Sequence, residues 1–180
     1  MVLQLKMNDQ TITLINLNSP NNDDPAFCDR VRGAIKSIRS QELILAGDWN
    51  FVLYPELDSQ NCKHTNNPKC REKVLDLTKE FSLVDILREL NGQCKRFTWR
   101  RSQPVLQQSR LDFFLINENL VADVISADIE PGYRIDHSAV TIPFRFTERA
   151  RGITFWKFNS SLLKDIEYVR RIKETIKKTK

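Results

Sequence analysis

A chain of 180 residues, 41% apolar and 28% charged, has the size and composition of one soluble globular domain with its own core. No apolar run approaches the roughly 20 residues that span a bilayer, and Lys6, Asn8 and Asp9 interrupt the first apolar residues where a signal peptide needs continuity. The net charge of +5 is uneven: residues 1–144 carry 17 Lys/Arg against 19 Asp/Glu, and residues 145–180 carry 11 against 4.

Val2–Lys6 and Thr11–Leu17 are β-rich runs separated by the turn-prone Asn8-Asp9-Gln10, which predicts a hairpin. After the loop chemistry of residues 18–25, Phe27, Val31, Ala34, Ile35 and Ile38 recur at helical spacing. A helix over Pro25–Arg39 is expected, with its proline in the first turn. Glu42–Ala46 is a strand and Pro55–Pro68 a polar loop. Val74, Leu75, Leu77, Thr78 and Phe81 give a second helix, and a short segment near Ser82–Asp85 leads to a helical turn that Asn91-Gly92 stops. Phe97–Arg100, Leu111–Ile116, Val124–Ile129 and Ala139–Phe146 are strand-like, with a helical turn at Asn117–Val121. Pro143 argues for an edge or an irregularity in the last strand. Hairpin-type neighbours are frequent, so a mixed sheet is expected.

Residues 147–159 form a linker. From 160 to 180 the apolar residues Leu162, Leu163, Ile166, Val169, Ile172 and Ile176 share one helical face and Lys/Arg fill the other. This basic amphipathic helix suits a polyanionic partner and equally a solvated surface. Cys28, Cys62, Cys70 and Cys94 lack CxxC spacing, which fits reduced thiols in the nucleus or cytoplasm.

Three polar clusters stand at strand ends: Asp48 and Asn50 in "GDWN", Asp112 in "SRLDFFLI", and Asp136-His137 in "RIDHSAV". A carboxylate inside a strand apolar on both faces costs several kcal/mol, of order, unless it is paired. Asp112 therefore needs a partner, and His137 is the natural one. A carboxylate behind an imidazole fixes its tautomer, and a protonated imidazole so held can donate to a phosphate oxygen. Asp48 and Asn50 point the same way if the segment is extended, and they are equally a turn after a strand. Together with Asp136 these residues contain what metal-assisted phosphodiester hydrolysis requires: a group that activates water, donors to phosphate oxygens, and a metal ligand. Residues 94–110 add five basic side chains and no acidic one, with Phe97 and Trp99 interleaved. Arg96, Thr98, Arg100, Arg101, Ser109 and Arg110 are the nucleic-acid-facing candidates; a solvated edge hairpin is the alternative.

The same motifs resemble the endonuclease/exonuclease/phosphatase superfamily of DNase-I-like fold, and most closely the apurinic-type endonuclease domains of non-LTR retrotransposons. "NLNSPNNDDPAF" is similar to the segment upstream of Gly-Asp-Trp-Asn there, and "RGITFWKFNSSLLKD" to the connector toward a reverse transcriptase domain. The resemblance implies an α/β fold, a two-sheet β-sandwich flanked by helices. Residues 1–146 would form its C-terminal portion, because the early strands that carry an Asn and a metal-binding Glu have no counterpart. It implies that Asp48 orients or deprotonates the attacking water and that Asn50 binds the scissile phosphate. Asp112 would pair with His137, which touches the phosphate, and Asp136 would help hold magnesium (or manganese). DNA is the implied substrate. Asn18 stands where the family often has Tyr, and Ile135 where Ser precedes Asp-His. The expectation is a fragment of a DNA-nicking phosphodiesterase, inactive or nearly so alone, with an exposed apolar sheet face. The alternatives are a non-catalytic retrotransposon remnant that binds nucleic acid or a partner, and another phosphoesterase of the superfamily.

Overall fold

Three runs with apolar residues on both faces form the middle of the molecule. The computed structural model describes residues 1–7, 10–38, 42–62, 66–103, 105–132, 136–145 and 166–178. Its strands are β1 (Val2–Met7), β2 (Gln10–Asn18), β3 (Glu42–Asp48), β4 (Ser59–Gln60), β5 (Leu83–Asp85), β6 (Trp99–Arg101), β7 (Gln107–Ser109), β8 (Asp112–Asn117), β9 (Asp128–Glu130) and β10 (Ala139–Thr141). The central sheet is mixed, in the order β1-β2-β3-β8-β5. β2 and β3 run parallel and the other pairs antiparallel.

Alternation gives this sheet two dry faces. Ile15, Leu17, Leu43, Leu45, Phe113 and Leu115 face one way, into a core shared with the helices α1 (Pro25–Ser37) and α3 (Pro68–Glu80). Ile12, Ile44 and Ile116 face the other, toward Leu120, Ala127 and Ile129. There β9 and β10 pair as a separate small sheet, so the molecule layers helices, sheet and sheet. Among the described residues this second face is incompletely covered. Leu5, Ile12, Leu14, Ile44, Phe114 and Phe144 line an open apolar groove, and Leu3 and Leu5 of the edge strand stay 46% and 39% exposed.

Two adjacent aspartates start the helices α1 and α3. Asp24 accepts from Ala26 N at 3.1 Å and caps α1. Asp23 reaches across to Lys69 N (3.1 Å) and Cys70 N (2.9 Å) and caps α3, whose own N-cap residue, Asn67, is left-handed and offers no side-chain cap. Burial opposes the Asp23 charge, yet the Cys70 and Lys69 backbone donors outweigh it and hold the carboxyl below its ordinary range.

Several elements differ in extent from the sequence reading. α3 begins at Pro68, because its polar first turns hide a helix in which Cys70, Val74 and Leu77 are buried. The expected 55–68 loop contains a helical turn, α2 (Pro55–Asp58), and β4. The helical turn after β5 is α4 (Ile86–Asn91). Regular pairing of the last strand stops at Thr141, before Pro143, and Val124 meets Phe144 only in an isolated bridge.

The chain divides into two compact units, Met1–Thr147 and Glu148–Lys180. The predicted linker 147–159 lies outside the described residues, as does the start of the tail helix. The described part of the second unit is α5 (Ile166–Lys178). Its Arg170 and Arg171 are engaged by Glu167 and Glu174 on the same helix. Such exposed pairs are worth little. Among the described residues no helix is long and apolar enough to cross a membrane.

Candidate functional site

The Gly-Asp-Trp-Asn segment is built from four distinct local requirements. Gly47 has φ +144°, and a Cβ there would lie 1.8 Å from the Leu17 carbonyl oxygen on the parallel partner strand. Trp49 is buried, stacked on Phe113 at 5.0 Å, with its indole N–H donating to Phe113 O at 3.1 Å. Asn50 is left-handed, φ +54°, and its N–H donates to Asp48 Oδ1 at 2.9 Å. The segment is therefore a turn closed by the Asp48 side chain, the second of the two geometries that the spacing of Asp48 and Asn50 allows. The turn is clamped from outside. Asn50 Nδ2 donates to Ser19 O at 2.6 Å, and Asn67 Nδ2 donates to Asn50 O at 3.0 Å. Asn67 carries no signal in the sequence beyond its place before Pro68.

The second motif divides into one residue at the site and one beneath it. Asp112 opens β8 half-buried, and its Oδ2 lies 2.8 Å from His137 Nδ1. Arg110 turns the other way and is 0% exposed. Its guanidinium makes two bonds to Asp58 (2.8 and 2.9 Å), pairs with Asp85, and lies 5.2 Å from the Phe113 ring centroid. Burial works against this charge, but Asp85 and Asp58 outweigh it and hold the guanidinium firmly protonated. Arg110 is thus a core ion and not a nucleic-acid contact, because a nearby pair of buried carboxylates claims it. Thr98, 1% exposed, is likewise withdrawn from the surface. Its hydroxyl accepts from Leu111 N (2.9 Å) and Asp112 N (3.0 Å).

The third motif is carried to the first two by β6. Arg100 N donates to Asp136 O (3.0 Å), Ser138 N donates to Thr98 O (2.6 Å), and Trp99 bridges His137. One open cleft is then lined by Asp48, Asn50, Trp99, Ser109, Asp136 and His137. Cys62 stands there too, its Sγ 3.3 Å from Ser109 Oγ. Asp48, Asp112 and His137 offer ligand atoms within 4.8 Å of one another. Carboxylates of Asp48 and Asp112 beside one imidazole are an oxygen-rich donor set of the kind a hard divalent cation takes, and Asp136 lines the same cleft.

Burial pushes the Asp48 carboxyl above its ordinary range. The Asn50 N–H pulls it back, Asp112 and Asp136 raise it, and His137 lowers it. An acid raised in this way contributes most to stability when protonated and loses that contribution as pH rises through its folded pKa. Asp48→Asn keeps the Oδ1 acceptor of the turn. It is expected to stabilise the chain at pH 7 by up to about 1 kcal/mol, and the gain should fade as pH falls through the raised folded pKa and be nearly gone at about pH 3. Urea denaturation at both pH values checks this.

Of the remaining basic candidates, Arg96 is tied to Ile129 O (2.6 Å) and Asp128. Arg100 is exposed with its guanidinium on Gly132 O, and Arg101 is exposed. Ser109 is buried at the cleft wall.

No family model matches the chain. A curated relative, a 149 kDa protein of transposon TX1 from Xenopus laevis, is 29% identical over 181 residues, covering 96% of this chain and 13% of that protein. Three solved structures share the fold. The AP endonuclease LMAP from Leishmania major has a TM-score of 0.67 at 18% identity, over 80% of this chain and 53% of that one. A 3′-5′ exonuclease from Neisseria meningitidis has a TM-score of 0.62 at 18% identity, over 81% and 65%. The endonuclease domain of TRAS1, a telomere-specific non-LTR retrotransposon, has a TM-score of 0.61 at 14% identity, over 81% and 63%. The chain thus spans under two thirds of each of these structures and about an eighth of the transposon protein.

Proposed function

We propose, starting from the DNase-I-like fold of this chain, that it contributes the water-activating and phosphate-binding side of a DNA endonuclease site of the retrotransposon type. The observation that carries this is the His137 Nδ1–Asp112 Oδ2 contact of 2.8 Å beside the cleft that Asp48, Asn50 and Asp136 share. With Nδ1–H held by Asp112, the imidazolium form of His137 has its Nε2–H left to donate to a phosphate oxygen. Asn50 spends one amide hydrogen on Ser19 O and has the second for the same phosphate. Asp48, with its raised carboxyl pKa, is suited to accept a proton from the attacking water. Asp136 is the carboxylate that would help hold a magnesium or manganese ion, which when bound supplies Lewis-acid stabilisation of the phosphate charge. DNA as substrate is supported by the transposon relative and by a Neisseria 3′ phosphatase of this fold bound to a product DNA hairpin. A reverse transcriptase domain elsewhere in a longer polypeptide is the partner that goes with this reading.

Titration of the chain with short duplex DNA and magnesium is expected to shift the Asn50 side-chain amide resonances, with the apparent affinity at least tenfold weaker in His137→Ala. Unchanged Asn50 resonances in the unmodified chain would remove the reading. Cleavage of supercoiled plasmid by the chain alone is expected at background. Magnesium-dependent nicking abolished by Asp136→Ala would instead establish a complete catalytic set. On the exposed flank, Arg100→Gln with Arg101→Gln is expected to reduce the log–log salt slope of DNA binding by roughly 2, one unit per lost phosphate contact.

A further inference from the structure

The proposed site depends on two chain segments, around residues 112 and 137, that meet across β6, and one buried residue bonds both, the first through its side chain and the second through its backbone. Thr98 has no surface to offer a ligand. Its hydroxyl accepts from two successive backbone donors, Leu111 N at 2.9 Å and Asp112 N at 3.0 Å. Its carbonyl accepts from Ser138 N at 2.6 Å, and its N–H donates to Ser109 O at 3.1 Å. Immediately after it, Trp99 bridges His137 and Arg100 N bonds Asp136 O.

From this we infer that Thr98 is a positioning residue whose hydroxyl sets the Asp112 carboxylate at hydrogen-bond distance from His137. The inference rests on the functional reading above for its importance, but its geometry stands without it. The hydroxyl does what a strand neighbour cannot do here. At the Leu111–Asp112 step the chain passes from the end of β7 to the start of β8, and the two N–H groups point to the same side chain instead of to a ladder partner. A valine would fill the same volume and leave both N–H groups buried without an acceptor. The carboxylate sits one residue's side chain away from that step, so a shift of a few tenths of an ångström in the backbone is passed directly to the Asp112–His137 distance.

The test reads the His137 Nδ1–H proton by NMR in the free chain, without DNA or metal. His64, the other histidine, is removed by His64→Gln for assignment. The protein with Thr98 intact and Thr98→Ser are expected to show a downfield, exchange-protected resonance. Thr98→Val is expected to lose it or to exchange more than tenfold faster. As a control for general destabilisation, Ile129→Val in the other core should leave the resonance in place. A folded Thr98→Val with exchange within twofold of the parent would overturn the inference. If Thr98→Val does not fold, Thr98→Ser decides: it keeps the hydroxyl and sheds the methyl, and loss of the resonance there would equally overturn it. Failure of the chain to bind DNA or magnesium would count against the functional reading alone, since this resonance is measured in their absence.

Discussion

Arg110→Met is expected to cost about 3–5 kcal/mol of folding stability. Such a loss is a large part of the roughly 5–15 kcal/mol that holds a typical domain together. The guanidinium serves two carboxylates that are themselves fully buried, Asp58 and Asp85. Methionine replaces the volume and, among the described residues, leaves Asp85 without a cation, while Asp58 keeps Arg88. Burial already pushes the Asp85 carboxyl up against the pull of Arg110, and without that pull it rises further. The stability deficit should therefore shrink as pH falls and Asp85 takes a proton, and grow as pH rises through the folded pKa. Guanidinium denaturation across about pH 4–8 measures both effects. Asp85→Asn introduced together with Arg110→Met is expected to recover part of the loss at neutral pH, because it removes the orphaned charge. A deficit below about 1 kcal/mol in the single variant would show that water or a rearranged side chain takes over the pairing.

Gly47→Ala is expected to be as damaging, by about 4 kcal/mol or more, for a steric reason. A methyl carbon 1.8 Å from the Leu17 oxygen and 2.8 Å from its carbonyl carbon meets backbone on a paired strand, not a side chain that can swing away. The backbone at φ +144° adds strain for any residue with a Cβ. Relief requires β2 and β3 to separate at Leu17–Gly47 and Asn18–Asp48, the last rungs of their parallel pairing. Ser19 N, bonded to Asp48 O at 2.8 Å, then moves with them. Lowered denaturation midpoint and loss of amide-exchange protection at Leu17 and Asp48 are the expected signatures. A variant with parent-like protection there would show that the strand ends can part at little expense.

Neighbouring residues mark where sequence reasoning works and where it stops. Asp112 is legible because a carboxylate in a strand apolar on both faces must be paired, and only one histidine stands near another strand end. The structure brings that pair to 2.8 Å. Arg110, two positions earlier, reads in the sequence as a surface contact. The fold turns it to the opposite side, and the carboxylates that hold it come from 52 and 25 residues away. Ion clusters buried in this manner leave no periodicity to find. Asp48 and Asn50 are legible as a pair but not as a turn. Their spacing fits both a strand and a side-chain-closed turn, and the outside clamp from Ser19 and Asn67 decides between them. Thr98 sits among basic and aromatic residues that favour a surface, and its two backbone partners are visible only once β7 and β8 are in place. The strands of the central sheet follow from alternation, and the helices from 3.6-residue spacing. Shortfalls come where first turns are polar, as in α3, or where pairing is too brief to set a pattern, as in β4 and β9.

Asp23 and Asp24 each hold the start of a different helix, which ties the spacing of this bend to two distant places at once. Among the described residues, Pro20 and Asn22 present no side-chain bond that fixes their identity, whereas Ser19 is buried and Asn21 lines the cleft, and the length of the segment is fixed throughout. Removing one residue there would leave a carboxylate at the start of one helix and strip it from the other. The segment should accept exchanges of letters far more readily than gaps.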